Sequence, residues 1–331
     1  METRTDVPGA YTVKLRYGPY RVPNMGHKNM LGEGGMLSNY PHGNLEKPCE
    51  GECTIIGMSA GLEYANGTNA NIDSGMWLHH TVFFNAGPGR EDPTCMDKEI
   101  SVPHVTTGAT ARSSERFFAS GNERTPGIFP EWGVKDAGYK IKSTDRFAAL
   151  VELMNENMED KTVYMTVTYD VVDGHPFKDE IKCVWHDVRN CGTSEVNPPK
   201  GQNRFSLGSK WTSNVNGQII GAIGHLHDGG TSVTLEVDGK RTCTNVAKYG
   251  TKPEYVQKTA MGHLANGALT HISDMNNCYG AEFPEKVMKV GQVWDLTANY
   301  DFSEYTGMKH EDGDWDEVMG ISIMYIRRPG A

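Results

Sequence analysis

Residues Thr231 to Val237 alternate strictly, with Val233, Leu235 and Val237 on one face. They run into Asp238-Gly239, after which Lys240 to Thr244 returns. A period of two buries one face of a strand, and Asp-Gly is a two-residue turn that tolerates positive φ, so the segment reads as a β-hairpin. The same pattern recurs along the chain. Tyr11 to Val22 places Val13, Leu15 and Tyr17 on one face, and Cys53 to Tyr64, Gly75 to Asn85, Gln218 to His227, Val290 to Tyr300 and Val318 to Ile326 are further strands. Arg146 to Met154 and Thr162 to Val172, joined by a polar turn over 155–161, are expected to form a second hairpin. Stretches rich in Gly, Pro and Asn, from Val22 to about Pro48 and over 86–115, are expected to be loops.

No apolar stripe has a helical period for more than a turn or two. Short strands at this spacing predict an all-β chain of two tandem antiparallel β-sandwich, jelly-roll-like domains. Asp173-Gly174-His175-Pro176 punctuates the 331 residues near their midpoint, and the domains are expected at 1–175 and 176–331.

A net charge of −10 argues against nucleic acid and against an anionic membrane surface as partners. No apolar run is long enough to span a bilayer. Met1 to Pro8 is polar, so either the chain is cytosolic or the sequence begins at a mature end. The seven cysteines decide between these. None forms a Cys-x-x-Cys pair, and several sit in polar turns, such as Cys49-Glu-Gly-Glu-Cys53. That is the usage of a disulfide framework, with one thiol left free or paired between chains, and it favours secretion. Cys183 and Cys191 are near in sequence, and Cys243 and Cys278 both follow strands, but spacing does not fix connectivity. Asn66-Gly67-Thr68 is a glycosylation sequon.

Histidines carry the chemistry. His225-Leu226-His227 ends a strand before a Gly-rich turn, so both imidazoles share a face and can chelate one metal. His79-His80 lies inside a strand, where neighbours point to opposite faces unless a bulge re-aims one of them. His104, His186, His263, His271 and His310 read as surface or hydrogen-bonded residues, and His27, His42 and His175 as loop residues. There is no nucleophile elbow, phosphate loop, dinucleotide fingerprint or His-Glu-x-x-His helix.

Three stretches together resemble a known family: Trp77-Leu78-His79-His80-Thr81-Val82-Phe83-Phe84, Gly224-His225-Leu226-His227-Asp228-Gly229, and the late strand from Asp316 to Tyr325. Their order and spacing, from about residue 50 onward, are similar to those of the copper type II, ascorbate-dependent monooxygenases. Peptidylglycine α-hydroxylating monooxygenase and dopamine β-monooxygenase are that family's named members, and a secreted fungal and plant branch looks closer still. The resemblance implies two β-domains facing each other across a cleft. It implies one copper on the first domain, held by three histidines including His79 and His80. A second copper, held by His225, His227 and a methionine thioether, would activate dioxygen.

The chain departs from that pattern at three points. Val151-Glu152-Leu153-Met154-Asn155, which matches the family's third histidine, has none, and Met154 is the soft side chain there. The thioether position falls on Val318 or, with a one-residue shift, on Met319. Ile223 stands where the peptide-amidating enzyme has a carboxylate-binding arginine, which points to an apolar small-molecule substrate in the cleft. Three readings follow. One is a copper-dependent monooxygenase in which His225 and His227 are catalytic. Another is the same fold running a non-redox reaction, such as the cyclase or pericyclase steps of fungal secondary metabolism. The third is a protein that binds a ligand or copper without turnover.

Overall fold

The computed structural model describes residues 4–29, 32–98, 100–256, 270–309 and 313–329. Those residues are almost entirely β, as expected. The one α-helix among them is the short Val102–Thr106, and no helix is long and apolar enough to cross a membrane.

Three sheets organise the chain. An eleven-stranded sheet runs in the order Ala10–Val22, Lys161–Asp173, Cys53–Tyr64, Ala137–Ile141, Asp179–Asp187, Val318–Pro329, Gly217–Leu226 and Cys278–Tyr279, with three short strands beside this path. Its pairings are antiparallel except where Ala137–Ile141 meets Asp179–Asp187 in parallel. A four-stranded sheet holds Met36–Leu45, Arg146–Asn155, Met76–Ala86 and Ser114–Gly121. It shares one core with the first part of the large sheet: Leu78, Phe83, Phe117 and Val151 pack with Ile55, Leu62, Val167 and Tyr169. A five-stranded sheet containing Gly230–Val237 and Lys240–Tyr249 shares a second core with the other part, where Leu235, Trp294 and Leu296 meet Ile219, Leu226 and Met324. In both cores side chains from two sheets pack face to face, the packing of a β-sandwich.

The expected Asp238-Gly239 hairpin is present, with φ of 49° and 77° at the turn. The other expected hairpin is not. Arg146–Asn155 pairs with Met36–Leu45 and Met76–Ala86, whereas Lys161–Asp173 pairs with Ala10–Val22 and Cys53–Tyr64. The chain between them crosses from one sheet to the other. Arg146–Asn155 is buried along nearly its whole length, so it needs neighbours on both edges that a hairpin alone does not supply. The Asn155 side-chain amide pins this corner, donating to the carbonyls of Pro23 at 3.0 Å and Glu159 at 2.8 Å.

Met36–Leu45 is a strand where a loop was expected. It lies at a sheet edge, where Pro41 and two register shifts are tolerated because one side of the backbone needs no ladder. His42 therefore sits in a strand. Six cysteines form disulfides, Cys49–Cys53, Cys95–Cys191 and Cys243–Cys278, and Cys183 is a buried free thiol.

Candidate metal centre

The Met76–Ala86 strand carries His79 and His80. Leu78 pairs with Leu153 and His80 with Glu152 on the neighbouring strand, so His79 is an extra residue on its own side of the ladder. This is a β-bulge, the device that re-aims one of two adjacent side chains. As a result the two imidazoles converge, with their Nδ1 atoms 3.3 Å apart, and both are buried.

His225 is the next-to-last residue of Gly217–Leu226, and His227 follows its end. Both are buried, and their ring centroids are 5.6 Å apart. His227 donates Nδ1–H to the carbonyl of Glu317 at 2.9 Å, because a carbonyl can only accept. His225 Nδ1 lies 3.0 and 3.1 Å from the two carboxylate oxygens of Glu123. A Cβ at Gly121 would overlap the His225 ring, so a glycine is needed there. In each residue Nδ1 is engaged while Nε2 is buried without a hydrogen-bond partner. That is how metal-binding histidines are oriented: one nitrogen is fixed by an acceptor and the other presents a lone pair.

The two strand ends meet. The His79 and His227 rings are 4.4 Å apart between centroids, and those of His80 and His227 5.9 Å. One nitrogen from each of His79, His80 and His227 lies within 4.8 Å of the others. A cavity of about 20 Å³ is lined by His79, His225, His227, Asp228 and Met308. That volume suits a single water or ion. Imidazoles beside a thioether suit copper in either oxidation state, and also zinc, iron or nickel. The residues present therefore fit a bound copper.

Carboxylates tune the site. Burial alone would push His79 down, but the Glu152 carboxylate, 3.1 Å from its Nδ1, wins and raises it to about 9. Burial, followed by the neighbouring His79 and His225, lowers His80 to about 3 although Glu152 opposes this. Burial and the three surrounding imidazoles also hold His227 well below its ordinary value. At neutral pH His79 thus holds its proton against the Glu152 carboxylate, while His80 and His227 present neutral nitrogens. Burial, reinforced by Glu152, raises Glu195 to about 7.

The structure places Val318, Met319 and a further side chain, Met308, in three different surroundings. His225 pairs with Ile321, so Met319, two residues before Ile321, shares the His225 face. Val318 instead packs in the other core. Met319 lines a separate cavity of about 160 Å³ with His80, Val82, Leu150, Trp185 and Glu195. The methionine of the histidine cavity is Met308, which precedes the last strand and carries no sequence pattern. Glu123, Glu152 and Met308 were not legible as site residues.

The remaining histidines divide. His271 is buried beside the centre, bonded through Nδ1 to Asp228 and packed edge-on against Trp77 at 4.4 Å, with its Nε2 unpartnered. His104 bridges Ser114 and Asp92, and His186 bonds Ser209, so both are structural. His263 and His310 lie outside the described residues. Asn66 is exposed in a turn, its side-chain oxygen accepting from the Thr68 hydroxyl at 2.8 Å.

No family model matches the chain. Two fungal proteins do. The probable copper-dependent oxygenase M1 of Phoma sp. (strain ATCC 20986 / MF5453) is 32% identical over 315 residues, which is 95% of this chain and 72% of the relative. The chain belongs to this family of probable copper-dependent oxygenases. A second member, the probable copper-dependent oxygenase clz3 of Cochliobolus lunatus, is 32% identical over 272 residues, 81% of this chain and 78% of its own. Among solved structures, PNGF-II superposes at a TM-score of 0.40 and 9% identity over 94% of this chain and 65% of that one, too distant to bear on function. For a copper-dependent oxygenase family, a buried centre of imidazoles with engaged Nδ1 atoms is a chemically apt donor set.

Proposed function

We propose that this protein is a copper-dependent oxygenase of apolar small molecules, with its metal held by His79, His80 and His227. The convergence of these three side chains, from strands far apart in sequence, carries the reading. Copper bound there would supply dioxygen activation and oxygen insertion into the substrate. Glu152 orients His79 by accepting a hydrogen bond from its Nδ1–H, while Glu123 orients His225 toward the same cavity. The 160 Å³ cavity beside His80 is the proposed substrate seat. Val82, Leu150, Trp185 and Met319 give it apolar walls drawn from both sides of position 175. A cavity of roughly 150 Å³ accommodates a benzene ring, so the seat suits a ring-sized apolar end of a substrate. Three disulfides and the exposed Asn66 sequon support passage through an oxidising secretory compartment.

The test is copper stoichiometry. The full chain, loaded with copper and freed of excess, is expected to retain the metal by elemental analysis and to consume oxygen when given a reductant. His79→Ala and His227→Ala are expected to lose the metal while remaining folded. A wild-type protein that retains no stoichiometric copper, or turnover that survives chelation, overturns the reading.

A further inference from the structure

We infer a second binding site, for a small organic anion, at the opposite end of the large sheet. A cavity of about 450 Å³ opens where Ala137–Ile141 runs beside Asp179–Asp187 and Val318–Pro329. At about 3.3 Å per residue the last strand separates Met319, beside the histidines, from Arg328, in this cavity, by about 30 Å. The two sites are therefore distinct. The volume lies within the range of small-molecule pockets.

Its lining is basic in a chain whose net charge is −10. Arg90, Lys140, Lys142, Lys182 and Arg328 face Glu91 and Glu180. Arg90 is buried and already satisfied, since it binds Glu115, Asp145 and the Lys140 carbonyl and forms a rigid floor. Of the other four cations, among the described residues only Lys182 has a carboxylate partner, the Glu115 that Arg90 already engages. Among the described residues Lys142 Nζ donates only to the Pro88 carbonyl, at 3.2 Å, and Lys182 Nζ stands 3.9 Å from Glu115. Among the described residues no hydrogen bond or ion pair engages the side chains of Lys140 and Arg328, although Glu180 stands across the ladder from Arg328.

Like charges gathered around one concavity repel each other and focus a positive potential into it. An anion relieves that repulsion and gains charge-assisted hydrogen bonds, including the two-pronged geometry an arginine offers to a carboxylate or phosphate. Pro93, Val215 and Ile326 add apolar wall, so the ligand class is an organic acid with a compact apolar body rather than a bare inorganic ion. The shared chemistry is a carboxylate or phosphate group, and the experiment separates the two.

Isothermal titration of the full protein with benzoate, phenyl phosphate and the neutral benzamide tests the site. Saturable binding of at least one anion is expected, weakening as salt rises, with none for benzamide. The double variant Lys140→Glu/Arg328→Glu is expected to lose at least about tenfold in affinity while retaining copper and its melting temperature. The milder Lys140→Gln/Arg328→Gln serves if charge reversal unfolds the chain. Stronger binding of benzoate or of phenyl phosphate assigns the acid. Failure of both anions to saturate the wild type, or equal binding in the double variant, overturns the inference whatever the outcome at the histidines.

Discussion

Glu152 stands directly across the ladder from His80, yet its carboxylate reaches the neighbouring His79 at 3.1 Å. One acid thus holds the proton on His79, and it does so from within the stretch Val151 to Asn155, where the resemblance implied a third histidine. The raised value of His79 gives a sign. In the metal-free protein the group contributes stability that is present below its unfolded value of 6.5 and lost as pH rises through about 9. Metal must displace that proton, so copper affinity should climb from neutral pH toward 9 and then level. Glu152→Gln should flatten this climb and destabilise the metal-free fold by about 1–3 kcal/mol. Copper titrations across that pH window, in both proteins, check the expectation.

Met308 and Met319 line different cavities, and only the first shares its space with His79, His225 and His227. Thioether sulfur favours Cu(I). Met308→Leu should weaken Cu(I) binding by about tenfold or more and remove sulfur scattering from the copper X-ray absorption spectrum, while Cu(II) binding changes little. Met319→Leu should leave both unchanged. Both swaps nearly conserve volume, so stability should fall by less than about 1.5 kcal/mol. Sulfur scattering that vanishes with Met319 instead would reverse the assignment.

The proposed substrate seat can be filled from its wall. Leu150→Trp should raise KM for the substrate by about tenfold or abolish turnover, with copper stoichiometry unchanged. Overpacking there is expected to cost about 1–3 kcal/mol. Kinetics and elemental analysis on the same preparation separate a blocked seat from a lost metal.

Away from the centre, burial lowers His186 to about 4, and its Nε2 bonds the Ser209 hydroxyl. The folded state therefore binds fewer protons than the unfolded one below 6.5. Stability from this group is present above 6.5 and is lost as pH falls toward 4, by about 1.4 kcal/mol per pH unit at most. His186→Gln should make the acid limb of a denaturation-against-pH curve shallower in that window, measured on metal-free protein.

Much of this fold was legible because alternation and turn chemistry are local. The Asp238-Gly239 hairpin and the Cys53–Tyr64 strand required nothing beyond their own residues. Met36–Leu45 was hidden because an edge strand tolerates Pro41 and left-handed Asn39 and Asn44, which read as loop. The false hairpin of Arg146 to Met154 and Thr162 to Val172 shows that turn length does not say whether a chain turns within a sheet or between sheets. At the site, the same-face spacing of His225 and His227 was readable, and the need for a bulge at His79 could be stated in advance. The meeting of His79 with His227 depends on how two cores pack together, so no local pattern carries it. Glu152 looked like any strand glutamate until its cross-strand partner was known.

The bulge at His79 has a consequence for how such a centre is built. A ladder that resumes its pairing at His80 has absorbed one inserted residue without disturbing the strand beyond it. Without that residue Leu78 and His80 would follow each other in an ordinary ladder, and the cluster would lose the imidazole that meets His227. The two-histidine face is thus a frame-shift of geometry within an otherwise conventional strand.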